Sequence, residues 1–116
     1  RYGAARELAY AGRVEAAQQV LRSMSDQSED RVLTYWAFTH RKLGNVDLAM
    51  AFYDQALDAN PDNLLARSYL GQALVIAGET DAARVQLVEI AERGGTDGWP
   101  FQALSEAIAY GKTYDY

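Results

Sequence analysis

The chain has 116 residues, 49% of them hydrophobic and 23% charged, with no cysteine and a net charge of −5. This is too apolar for a disordered segment, sized for a single domain, and excludes disulfides and thiolate metal sites. The acidic excess argues against nucleic-acid readers, which set surplus Lys and Arg against phosphates, and no run approaches the roughly 18 apolar residues of a membrane span.

In chain order, apolar residues recur at helical spacing over 2–11, 14–25, 31–43, 46–59, 63–77, 80–93 and 99–110, which predicts seven helices. The chain opens on Arg1, not Met, so the expectation is that the true start lies upstream and any signal peptide cannot be read. Asn60-Pro61-Asp62 stops the fourth helix, because proline lacks the amide donor and its ring blocks continuation. The cluster Gly94-Gly95-Thr96-Asp97-Gly98 reads as a loop, and Pro100 suits the first turn of the last helix.

One turn pattern occurs three times. Ala11-Gly12-Arg13-Val14-Glu15-Ala16-Ala17 aligns with Leu43-Gly44-Asn45-Val46-Asp47-Leu48-Ala49 and with Ala77-Gly78-Glu79-Thr80-Asp81-Ala82-Ala83, the glycines standing 32 and then 34 residues apart. Glycine suits the left-handed residue that ends a helix. The acid three positions later falls in the first turn of the next helix, where the dipole favours it. The repeating unit is helix, tight turn, helix.

Trp36-Ala37, Gly44, Ala49, Tyr53, Ala56 and Pro61 fill the pattern of bulky, small and breaking residues that marks a tetratricopeptide repeat, and the chain resembles that family over nearly its whole length. Leu70-Gly71, Gly78, Ala83 and Leu87 repeat most of the pattern, with Ile90 and Gly95 where alanine and proline are usual. Ala4-Ala5, Gly12, Ala17 and Leu21 form a degenerate first copy with Met24 in place of alanine, while Leu104-Ser105 and Ile108 resemble half of a fourth. The resemblance implies an all-α fold, a right-handed superhelix of about three hairpins with a C-terminal capping helix. Its divisions are a single domain 1–116 with repeats 1–29, 30–63 and 64–97, a cap at 99–110 and a tail at 111–116. Close helix crossings need small residues, so Ala37 is expected to meet Ala49, and Gly71 to meet Ala83, with Trp36 and Tyr53 filling the wider gap beside them.

The resemblance also implies a function: a protein- or peptide-binding scaffold or adaptor that uses the concave wall lined by the first helix of each hairpin. Carried over position by position, the wall holds Tyr2, Arg6 and Tyr10, then Arg31, Tyr35, Phe38, Arg41 and Lys42, then Tyr69 and Gln72, with Trp99 and Tyr110 extending it. Counting charges over 1–11, 30–43 and 63–77 gives six basic and two acidic residues, a net of +4, while the remainder holds five basic and 14 acidic, a net of −9. Such a split favours an acidic partner. The alternative is that the same rings pack between repeats or form a homodimer seam, the chain serving as a self-associating segment of a longer solenoid. Family members that clamp a terminal carboxylate use Lys, Asn and Arg where this chain has Tyr2, Arg6, Tyr35, Leu65 and Tyr69, so that clamp is not expected. By likeness alone, short proteins of this kind suggest a bacterial and periplasmic setting.

No enzyme, cofactor or metal site is expected. His40 is the single histidine and stands where the family packs a tyrosine between helices. A zinc site needs three or four ligands. Asp47, Asp54 and Asp58 read as one exposed acidic helix face. The tail Gly111-Lys112-Thr113-Tyr114-Asp115-Tyr116 is expected to fray, to pack over the cap helix or to anchor in an apolar pocket.

Overall fold

A computed structural model describes residues 2–112; Arg1 and most of the tail reading, residues 113–116, lie outside the described residues. Seven helices account for nearly all of them: α1 (Tyr2–Tyr10), α2 (Val14–Arg22), α3 (Asp30–Lys42), α4 (Val46–Ala59), α5 (Leu64–Ile76), α6 (Thr80–Glu92) and α7 (Trp99–Tyr110). The expected helices are all present and the fold is all-α.

The repeated turn has one hydrogen-bond scheme. Gly12, Gly44 and Gly78 take φ of 81°, 84° and 82°, which a side chain rarely tolerates. Each glycine N–H donates to the carbonyl three residues back (Ala9, Arg41, Val75), and the next N–H donates five back (Leu8, His40, Leu74) at 2.8 Å. These paired bonds satisfy carbonyls that the helix end would otherwise orphan. Glu15, Asp47 and Asp81 then occupy the first turns of α2, α4 and α6.

The largest departure in a boundary is α2, which ends at Arg22 rather than residue 25. Ser23 Oγ donates to the Val20 carbonyl at 2.6 Å, and Gln27 Nε2 reaches back to the carbonyls of Leu21 at 2.8 Å and Met24 at 2.9 Å. Side chains thus replace the helical bonds a further turn would have made.

The helices group into two compact units that divide between Pro61 and Asp62. In the first, α1 pairs with α2 and α3 with α4, while α3 also packs on α1 and α2. Ala5, Ala9, Ala17, Leu21, Ala37, Phe38, Ala49, Tyr53 and Ala56 are fully buried there. A buried bond from Gln18 Nε2 to Thr39 Oγ1, 3.1 Å long, joins α2 to α3.

In the second unit α5 pairs with α6, and α7 packs on both. Val75, Ala83, Ile90, Leu104 and Ala107 form its core, flanked by Leu64, Leu74, Leu87, Phe101 and Ile108. Burying a side chain such as Ile90 or Leu104 contributes about 1.5–3 kcal/mol. Asn63 caps α5 by accepting from the Ala66 N–H at 2.9 Å, and Pro100 stands in the first turn of α7. Gly71 also faces α7: a Cβ there would stand 2.6 Å from both Leu104 methyls.

Candidate functional site

The residues expected to line a binding wall fall on α1, α3 and α5. Those of α1 and α3 meet in the first unit. Phe38 is fully buried and Tyr35 is 5% exposed, so both belong to the packing beneath this face. The Tyr10 ring meets Phe38 edge-on, 5.5 Å between centroids at 62°, an arrangement worth about 0.5–1.5 kcal/mol beyond the area it buries.

Guanidinium groups lie on this aromatic layer. Arg41 sits 5.1 Å from the centroid of Phe38, and Arg31 5.5 Å from that of Tyr2. Arg6 stands close enough to the Tyr35 hydroxyl for its charge to act on it. Burial pushes the Tyr35 phenol up, while Arg6 and then Arg31 pull it the other way. At the N-terminal end of α3 the Glu29 carboxylate accepts from the Tyr2 hydroxyl and holds that phenol above its ordinary range.

Arg6 and Arg31 are exposed and Arg41 is half-buried. Among the described residues, Arg84 pairs with Asp81 at 2.8 Å and Arg93 with Asp62 at 3.0 Å and Glu89 at 2.6 Å; no such pair involves Arg6, Arg31 or Arg41. The buried Arg41 Nε finds no hydrogen-bond partner among them either. Lys42, half-buried, borders a depression with Gly12, Arg13, Val14, Glu15 and Leu43, beside the α1–α2 turn.

Tyr69 and Gln72 have a different fate. Both are fully buried in the second unit. Tyr69 meets Trp99 of α7 edge-on at 6.2 Å. Gln72 Nε2 donates to Ser68 Oγ at 3.0 Å, and Ser68 Oγ donates to the Pro100 carbonyl at 2.6 Å. Periodicity places these side chains on one helix face correctly but carries no information that α7 covers it. Arg67, counted among the charges of the first helices, is likewise only 8% exposed and donates from Nη1 to Gln86 Oε1 at 2.9 Å. Trp99 and Tyr110 of α7 remain 37% and 74% exposed.

His40 is a packing residue. Its ring stacks on Phe52 at 5.6 Å and 2°, and on Trp36 at 5.9 Å and 21°. Its Nδ1 lies 3.3 Å from Asn45 Nδ2, and the Arg22 guanidinium lies 5.6 Å from the centroid of the Trp36 ring. Gln27, between α2 and α3, also accepts from Trp36 Nε1 at 3.0 Å. No group of three or more His, Asp or Glu that could hold a metal ion occurs among the described residues.

Helical hairpins closed by one repeated glycine turn define a helical-repeat protein of the kind generally associated with binding proteins and peptides. The Tetratricopeptide repeat family matches residues 40–108, more than half of the sequence, and the chain belongs to that family. No curated protein and no solved structure matches it. The matched range leaves out the shortened first hairpin.

Proposed function

We propose that the chain is a protein- or peptide-binding adaptor and that it holds its partner on the face shared by α1 and α3. The observation that carries this reading is the set of Arg6, Arg31 and Arg41, set over or beside aromatic rings and without a carboxylate partner among the described residues. A guanidinium held on a ring keeps a planar fork of N–H donors and loses little freedom on binding. Tyr2 and Tyr10, both half-buried, add rigid contact area of the kind that dominates interfaces. Phe38, Tyr69 and Gln72 support this face or the second unit from within.

Peptides selected from a displayed library against the full chain test the proposal. Replacing Arg6, Arg31 and Arg41 together by alanine is expected to weaken the selected peptides about tenfold or more, with helicity by circular dichroism unchanged. Equal binding by the triple variant overturns it.

One observation favours a second reading, self-association. Leu43, Val46 and Leu48 are 48%, 42% and 45% exposed around the α3–α4 turn, an apolar cluster that a second copy would cover. A mass that stays monomeric at high protein concentration removes this reading.

A further inference from the structure

The arginines of the α1–α3 face are spaced along α3, and their spacing carries information about the ligand. Resting on the binding role proposed above, we infer that the site takes an extended acidic segment with carboxylates on alternate residues, acid-x-acid-x-acid.

Levels along α3 can be counted from Arg31. Tyr35, whose hydroxyl feels the charge of Arg6, lies four residues further on, about 6 Å along the axis at 1.5 Å per residue. Arg41 lies ten residues on, about 15 Å, but its guanidinium leans over Phe38, whose level is about 10 Å. The three cationic groups therefore stand at about 0, 6 and 10–15 Å.

An extended peptide advances about 3.3 Å per residue and turns alternate side chains to one side. Its residues i, i+2 and i+4 fall at about 0, 6.6 and 13 Å, all on one face. The two progressions coincide within the reach of an arginine side chain. A helical ligand with acids at i, i+4 and i+7 would bring them to about 0, 6 and 10.5 Å, and tighter binding of such a helix than of the alternating peptide described below overturns the inference.

The chemistry agrees with the spacing. The Arg41 Nε is buried with no acceptor among the described residues, so a ligand oxygen that draws out this guanidinium relieves an unmet donor. Two acids at the start of α3, Glu29 and Asp30, are already engaged. Glu29 accepts from the Tyr2 hydroxyl, and Asp30 Oδ2 accepts from Asn60 Nδ2 at 3.1 Å. Neither Arg6 nor Arg41 forms an ion pair among the described residues.

Three fluorescein-labelled twelve-residue peptides on a Gly/Ser background test the inference by anisotropy with the full chain at low salt. One carries glutamates at alternate positions, one carries the same number side by side, and one carries glutamines at the alternate positions. The alternating acidic peptide is expected to bind about five- to tenfold tighter than its contiguous isomer, and the glutamine peptide weaker still. Arg6→Gln and Arg31→Gln, at exposed positions, should each remove most of that advantage, while Arg84→Gln on α6 should not. Equal affinities for the two acidic isomers, or for the glutamine peptide, overturn the inference. If library-selected peptides bind through the arginines but none of these three does, the binding role stands and the spacing rule falls.

Discussion

Leu104 of α7 occupies the space above Gly71 of α5 so closely that a single methyl on Gly71 would stand 2.6 Å from both leucine methyls. Leu104 is fully buried and Gly71 sits mid-helix, where glycine itself costs about 0.5–1 kcal/mol relative to alanine. The fold accepts that cost because α7 packs directly on α5.

Gly71→Ala therefore sets a gain in helix propensity against a clash. The expected net loss is about 1–3 kcal/mol from overpacking, read from denaturant midpoints. Leu104→Ala alone should lose about 2–5 kcal/mol. The double variant should lose clearly less than the two separate losses added together, because each change relieves the other. Strict additivity would show that the two side chains do not share this space.

Gln27 ties the end of α2 to the Trp36 ring, donating to two carbonyls and accepting from the indole. Gln27→Ala is expected to cost about 1–2 kcal/mol, since it removes three hydrogen bonds at a partly exposed site. Trp36 is one of two tryptophans, and losing its indole acceptor should shift the emission. Unchanged stability together with unchanged emission would sink this assignment.

His40 makes stability depend on pH in a known direction. Burial lowers its pKa below the usual imidazole value. Above about pH 6.5 the ring is neutral in both folded and unfolded chains and the fold keeps its full stability. As pH falls through that value the unfolded chain takes the proton first, so stability declines until the folded ring also protonates. Between pH 7.5 and 5.5 the denaturant midpoint should fall more for the natural chain than for His40→Phe, which keeps the stack on Phe52. An identical fall in both would locate the titration elsewhere.

The sequence by itself determined where the helices run and where the chain reverses. Gly12, Gly44 and Gly78 announce those reversals because the bonds that close each turn span at most five residues, and one positive-φ residue suffices. The first-turn acids and the proline after α4 act over the same short range. Packing partners were not legible in this way. Tyr69 and Gln72 share a helix face with residues that looked available, yet α7 covers them, and Gly71 faces Leu104, more than thirty positions further on. Arg6 and Arg31 gained their hydroxyl or aromatic neighbours because α1 lies against α3. Local backbone geometry is encoded in adjacent residues, whereas exposure depends on which distant helix arrives, and only the tertiary structure decides that.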